Sequence, residues 1–383
     1  MKMFFSSCLL FFSLISISCN DGTTLFRKVG THLASPVAIA VDTANLRAYV
    51  VNSNNRYEFS DTTLSILDIT DPASPSLLSS SINPIGIPNF SGQVYLDGTT
   101  RTAYVANRVS DNSLDKTDAL LKINVDEGSG SFGAVDQFNG GENPFGITCC
   151  DASGRIYLVA TGGSVAVFNP ADLSLSAASV QISLAATLKS GEKISGANAT
   201  EVLLLGAQAF VTARGGRIYV INTTEVGDSS KNPIDYLILS VGDARGIATD
   251  GTSLFVVDGT TKASVLRVIN PSTLIPIDPD TASISEVDVS TLPTTSVSLG
   301  TDPNEVVVFG GKAYVTNRGS DTVTVYDIAS SAVTATISVG DEPFGMAAFT
   351  VGANSYLYVT NLAADSISII DLASNTVVKI FSP

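Results

Sequence analysis

The sequence predicts an all-β fold, a seven-bladed β-propeller built from four-stranded antiparallel blades. Three observations predict it. The chain repeats itself with a period of roughly 40–50 residues, the range expected of propellers and solenoids. Each repeat holds four short β-branched runs with period-two alternation, separated by Gly, Asn, Asp and Ser clusters, as antiparallel strands joined by hairpins require. No stretch of comparable length carries a helical period.

The chain begins with Lys2 and an apolar run from Met3 to Ile17 that ends in small residues, the n-region and h-region of a secretory signal. That run is shorter than the about 20 apolar residues a membrane span needs, so a cleaved leader over 1–18 is expected. Its tail, Leu14-Ile15-Ser16-Ile17-Ser18-Cys19, resembles a relaxed bacterial lipobox. The resemblance implies acylation of Cys19, and two or more acyl chains make a stable anchor. Residues 19–30 then read as a tether and candidate closing strand, and 31–383 as the propeller.

Within the propeller the last two repeats are the clearest. One runs from Asp302-Pro303-Asn304-Glu305 through Lys312-Ala313-Tyr314-Val315-Thr316-Asn317 and Thr322-Val323-Thr324-Val325-Tyr326 to Ala335-Thr336-Ile337-Ser338. The next follows at once, with Glu342-Pro343-Phe344-Gly345, Tyr358-Val359-Thr360-Asn361, Ser366-Ile367-Ser368-Ile369 and Thr376-Val377-Val378-Lys379-Ile380. The tetrapeptide Tyr-Val-Thr-Asn stands verbatim at 314–317 and 358–361, and degenerate copies begin at Tyr49, Tyr104, Tyr157, Phe210 and Phe255. These residues resemble the YVTN-type β-propeller repeat family. The resemblance covers nearly the whole mature chain and implies seven second strands. The matching first strands are led by Pro36, by Pro84 or Pro88, by Pro144, by Ala199, by Arg245-Gly246, by Pro303 and by Pro343.

A short β-rich unit cannot bury both faces of its own sheet, so radial stacking of neighbours supplies the core. In 322–326 the valines are expected to face one neighbouring blade and the threonines the other. The Asn closing each Tyr-Val-Thr is expected to bond the hairpin backbone or to take a left-handed turn. Insertions fall on polar, proline-bearing loops in the second and fifth units, around 111–117 and 276–293. Both 24–30 and 376–380 look like outer strands, so eight candidates compete for seven places and one is expected to be an edge or added strand.

Composition narrows the chemistry. The formal net charge is −15, from 21 Lys and Arg against 36 Asp and Glu. That balance argues against nucleic acid or an anionic membrane surface as partner and for contact with the membrane through acyl chains alone. Of the four cysteines, Cys8 lies in the leader and Cys19 is the anchor, leaving the adjacent Cys149-Cys150 and no disulfide framework. That pair reads as small buried thiols at a strand end or as a vicinal bridge. Bridging neighbours forces a strained ring, which favours the thiols.

The single histidine, His32, sits in a linker, which leaves no histidine cluster for copper or haem and no base for a Ser-His-Asp arrangement. There is no Trp on which a pyrroloquinoline quinone would stack. Loops leading into the first strands put Glu142, Asn143, Glu201, Asp243, Arg245, Asp302, Asn304, Glu305, Asp341 and Glu342 at the channel mouth. Converging carboxylates there suit a hard cation, calcium or magnesium. Arg108 and Arg318 occupy one position in two units, each within Asn-Arg-x-Ser-Asp. The expected reading is a solvated hairpin ion pair. An anion-binding pair is the alternative, weakened because the two units are not neighbours.

The function expected is a non-catalytic, monomeric envelope module, held at the outer membrane by its anchor and facing the periplasm or the cell surface. Its rigid disc presents loops to a protein or glycan partner. The competing expectation is a metal-assisted lactonase or hydrolase with carboxylates at the channel mouth.

Overall fold

A computed structural model describes residues 30–54, 62–88, 91–108, 119–173, 180–196, 198–260, 264–274 and 284–383. The leader, Cys8, Cys19 and the candidate strand at 24–29 lie outside the described residues, as does the insertion at 111–117. Among the described residues helix is confined to three 3-10 turns of three residues each, so none is long and apolar enough to cross a membrane.

Seven antiparallel sheets stand round a common axis, in chain order. Their innermost strands are Pro36–Asp42, Ser91–Asp97, Pro144–Thr148, Ala199–Leu205, Ala244–Thr249, Pro303–Phe309 and Pro343–Val351, which define blades 1 to 7. Second strands follow by tight hairpins, for example Arg47–Asn52 in blade 1 and Asn354–Asn361 in blade 7.

Period-two alternation makes each second strand two-faced, and the structure shows where the faces go. Tyr49 and Val51 pack against blade 2 while Ala48 and Val50 pack against blade 7. The aromatic that opens each Tyr-Val or Phe-Val run points at the following blade in every case: Tyr49, Tyr104, Tyr157, Phe210, Phe255, Tyr314 and Tyr358. The buried apolar residues accordingly form seven clusters, one at each interface between neighbouring blades. Each fully buried large side chain stabilises the fold by about 1.5–3 kcal/mol, so the core is distributed round the ring rather than concentrated in one place. The expected split of 322–326 is present: Val323 and Val325 face blade 7, and Tyr326 faces blade 5.

Several expectations about local structure are corrected. Neither Pro84 nor Pro88 opens a first strand, because Ile85–Ile87 pairs with Thr62–Asp68 as part of the outer edge of blade 1. The Asn83 side chain interrupts that edge, accepting from Ile66 N and donating to the carbonyls of Ile66 and Leu78. Where the second-strand motif ends in Asn, Asn52, Asn317 and Asn361 bond hydroxyls of the third strand rather than taking a left-handed turn, and Asn107 accepts from Ser91 Oγ of the first. Asn361 donates to Ser366 Oγ and Ser368 Oγ at 3.0 Å, and Asn52 to Thr63 Oγ1 and Ser65 Oγ at 2.9 Å. Left-handed backbone falls instead on the hairpin aspartates, Asp321 and Asp365, and on the residue before several first strands, as at Asn143, Asp302 and Glu342.

The added strand also comes from an unexpected place. Ser285–Asp288, within the insertion of blade 5, leaves its own sheet and pairs in parallel with Ile234–Leu239 as a fifth strand of blade 4. A small hairpin between blades 3 and 4, Ala186–Thr187 with Lys193–Ile194, meets it through a bridge from Leu188 to Ile284.

Blade 7 completes itself with Thr376–Phe381, and among the described residues no strand is exchanged across the closing seam. The seam is held by packing and a few bonds. Tyr358 Oη donates to Pro72 O at 2.6 Å, Asp365 Oδ1 accepts from Ser35 N at 2.6 Å, and Lys379 Nζ donates to Ser74 Oγ at 2.8 Å.

Candidate functional site at the channel mouth

All seven inner strands carry a β-bulge just after the residue that opens them. A bulge re-aims the side chain that follows it. The third residue of these strands reads, round the ring, Ala38, Gln93, Gly146, Glu201, Gly246, Glu305 and Gly345. Long polar residues on blades 2, 4 and 6 therefore alternate with glycine on blades 3, 5 and 7, and blade 1 is left over with alanine.

Each member of that alternation has a physical task. Gln93 Oε1 accepts from Ile147 N at 3.3 Å, and Glu201 Oε2 accepts from Ile247 N at 3.2 Å. Glu305 accepts in the same way from the backbone of Met346. Blades 2, 4 and 6 thus send a side chain to an inner-strand N–H of the blade that follows, on the unpaired edge of that sheet. Glycine performs the converse task at the next interface. A Cβ on Gly246 would stand 2.7 Å from Asn304 O and 2.8 Å from Glu305 Cα, so only glycine lets the inner strands of blades 5 and 6 approach. Threonines add cross-blade bonds in two of the same pairs, from Thr212 Oγ1 to Arg245 O at 2.6 Å and from Thr316 Oγ1 to Phe344 O at 3.1 Å.

Gln93, Glu201 and Glu305 meet on the axis, lining a bore of about 240 Å³ whose other walls are mainly apolar, among them Ile39, Val94, Ile147, Val306 and Met346. Burial pushes the Glu201 carboxyl up to about 7 against the opposing help of Ile247 N–H and Gln93. Burial, and then the nearby Glu201 charge, holds Glu305 well above the ordinary carboxylate range. Two carboxyls facing each other in a poorly hydrated bore favour the protonated form.

Above the bore the channel widens into a cavity of about 580 Å³. Its wall holds four guanidiniums, Arg108, Arg214, Arg245 and Arg318, with Phe145, Phe344 and Asn304, and Glu201 lines both spaces. Arg108, Arg214 and Arg318 each follow a second strand, those ending at Asn107, Ala213 and Asn317, and so stand at one position on blades 2, 4 and 6. The expected separation of Arg108 from Arg318 is therefore wrong, since alternate blades converge on one funnel. The expected hairpin ion pair is also corrected for Arg318. Its partners are Asp302 Oδ2 at 3.7 Å and Glu342 Oε2 at 3.4 Å, on the turns leading into blades 6 and 7. Its guanidinium lies over the Phe344 ring, 5.4 Å from the centroid, and Phe344 meets Phe145 edge to face at 6.2 Å.

Arg245 is the fixed member of the set, 9% exposed, held by Asp243 Oδ2 at 2.9 Å, Asp302 Oδ1 at 2.5 Å and Pro303 O at 2.8 Å. Arg214 is exposed and forms no ion pair among the described residues.

Of the sequence-predicted mouth residues, Glu201, Arg245, Asn304 and Glu342 line the cavity, and Glu305 lines the bore below it. Asp243 and Asp302 serve the site indirectly by clamping Arg245. Glu142, Asn143 and Asp341 brace the neighbouring hairpins through backbone carbonyls, to Gly162 N, Thr161 N and Ala363 N. Among the described residues no three His, Cys, Asp or Glu side chains gather as a metal-ligating group. Sequence reasoning missed Gln93, Arg214, Phe145 and Phe344. Alignment of the seven units on the bulge brings out Gln93, Phe145 and Phe344, and alignment on the second strand brings out Arg214, which follows Ala213 as Arg108 follows Asn107.

Cys149 and Cys150 lie at the end of the inner strand of blade 3, away from this cavity, and the structure joins them in a disulfide. Cys150 is exposed, which corrects the expectation of buried thiols, and its sulfur lies 3.6 Å from Tyr95 Oη. His32 sits beside the chain end, its ring 3.1 Å from Pro383 O.

No family model matches the chain, and no curated protein matches its sequence. Solved structures match its fold. A chain of hydrazine synthase from Kuenenia stuttgartiensis is 13% identical, with 92% of this chain and 99% of that chain covered at a TM-score of 0.65. Sqt1 of Saccharomyces cerevisiae is 8% identical over 89% of this chain and 96% of that one, with a TM-score of 0.58. The computationally designed Ika8 protein is 10% identical over 93% and 89%, with a TM-score of 0.55. At such identities the likeness is one of fold alone.

Proposed function

We propose that the chain is a non-catalytic envelope protein, a divergent YVTN-type propeller anchored through Cys19, that uses its disc as a binding platform for a protein or glycan partner. The observation that carries the reading is the open, 580 Å³ funnel on a rigid ring. It presents Arg, Asn and Phe side chains without a nucleophile paired to a base. Such concave sites at the centre of a preformed scaffold suit recognition. The anchor rests on the apolar leader and the lipobox-like 14–19.

Two measurements test it separately. Mass spectrometry of the mature N-terminus should show an acylated Cys19, and Cys19→Ala should move the protein from the membrane to the soluble fraction; an unmodified wild-type N-terminus defeats the anchor. Photo-crosslinking from position 198, on the funnel rim, should trap a discrete neighbour in intact cells. Absence of any adduct there, together with turnover of a lactone panel that Glu305→Gln abolishes, would replace the platform with the hydrolase.

A further inference from the structure

We propose that the funnel binds a small polyanion, a molecule carrying two or more neighbouring carboxylate or phosphate groups, gripped by Arg108, Arg214 and Arg318 from three alternate blades. The inference rests on the funnel being a binding face, and on neither the anchor nor a macromolecular partner.

Charge is the first support. On a chain of formal net charge −15, the funnel wall carries four guanidiniums against the carboxyls of Glu201 and Glu342. With Asp243 and Asp302 beside Arg245 counted as well, the acidic excess of the whole chain is offset where the channel opens, and low-dielectric walls focus the field of the arginines on a ligand. Glu201, on the floor, opposes an anion only when ionised, and burial favours its protonated form.

Geometry is the second support. Residues at one position on blades 2, 4 and 6 aim at the axis from three sides, a pseudo-threefold set that no single anionic group satisfies. Guanidinium forks pair with carboxylate and phosphate oxygens two bonds at a time, which makes several anionic groups on one small frame the matching ligand. The arginines are also unequally committed. Arg245 is consumed by Asp243 and Asp302, whereas Arg318 holds its partners only at 3.4 and 3.7 Å and its buried Nε has no hydrogen-bond partner. Arg245 therefore reads as the strut, and Arg214 and Arg318 as the less committed hands.

The test is calorimetric titration of the purified full chain with pyrophosphate and with citrate, using glucose as the uncharged control. At least one anion should bind, glucose should give no heat, and affinity should fall as salt rises. Arg214→Gln should keep the wild-type melting temperature, because that side chain is exposed and forms no ion pair among the described residues. It should weaken binding by about ten- to a hundredfold, the cost of one charge-assisted contact. No heat from either anion up to about 10 mM, well above the range of ordinary specific sites, overturns the proposal. So does an affinity that Arg214→Gln leaves unchanged. Neither result touches the crosslinking or acylation readouts, so failure here is distinct from failure of the platform reading.

Discussion

Second strands and inner strands of the same blades obey different rules. Every second strand carries a Tyr or Phe, buries it against the next blade and repeats all round the ring. Inner strands instead alternate, polar side chain then glycine, with arginines following the second strands of the same polar blades. Sevenfold repetition holds the disc together, while a two-blade repeat, used three times with blade 1 as remainder, builds the bore and funnel. What varies within a repeat protein therefore locates its site better than what recurs.

The largest effect should come from breaking the recurring element at the seam that has no chain connection. Tyr358 is fully buried there and its hydroxyl reaches Pro72 O. Tyr358→Ala should cost about 3–5 kcal/mol in chemical denaturation, as large-to-small core changes do. Tyr358→Phe should cost about 1 kcal/mol, the net worth of one hydrogen bond. Equal effects from the two would mean that the hydroxyl, and not ring packing, closes the propeller.

Glu201 and Glu305 supply the next effect, this time on the alternating element. Burial raises Glu201 to about 7, so the folded state holds a proton that the unfolded chain releases near the ordinary value of 4.5. Between those values the folded state binds more protons. Stability from this group is complete below about 4.5 and is lost as pH rises through 7, by on the order of 2–3 kcal/mol. Glu201→Gln keeps an acceptor for Ile247 N and should flatten the decline between pH 5 and 8, read as melting temperature against pH. A wild-type profile that rises over this window would sink the reading of a protonated bore.

The recurring element was legible in the sequence because it is a matter of residue type: Tyr-Val-Thr-Asn, hairpin aspartates and period-two alternation each report a local requirement. Blade number, the self-contained blade 7 pattern at 366–380 and several mouth residues follow from that. The inner-strand alternation was hidden by the bulge, which makes Gln93 look like an ordinary strand residue, while Glu201 and Glu305 stood out only as carboxylates near the mouth and not as members of an alternation. Nor does any local rule say that 285–288 leaves blade 5 to pair with blade 4, since that choice is made by neighbouring edges in space. Arg108 and Arg318 were read as a weak pair because their units are not neighbours; round a closed ring, residues at one inner position all face one axis.

Glycine offers a smaller test of the same alternation. Gly246→Ala places a methyl against the backbone of blade 6, and should cost about 1–3 kcal/mol as overpacking does. Gly154→Ala is the wrong control, because its φ of 74° adds strain. Gly86→Ala, with no heavy atom within 4 Å of the new Cβ, is the right one and should stay within about 1 kcal/mol. If both substitutions behave alike, glycine on blades 3, 5 and 7 is not there for close approach, and the two-blade repeat loses half its physical basis.

Least of all should be felt at Arg214, and that smallness is what sharpens the comparison. An exposed side chain with no ion pair among the described residues contributes within about 0.5 kcal/mol to folding, so Arg214→Gln should leave the denaturation midpoint where it was. Its counterpart Arg318 has Asp302, Glu342 and the Phe344 ring to lose, and Arg318→Gln should lower the midpoint measurably. Three arginines at one position of the repeat would then differ in what they do for stability while sharing a place on the funnel wall. A residue at a repeating position without any return in folding energy fits a reason outside the fold, and among the described residues the open space that Arg214 lines is the funnel.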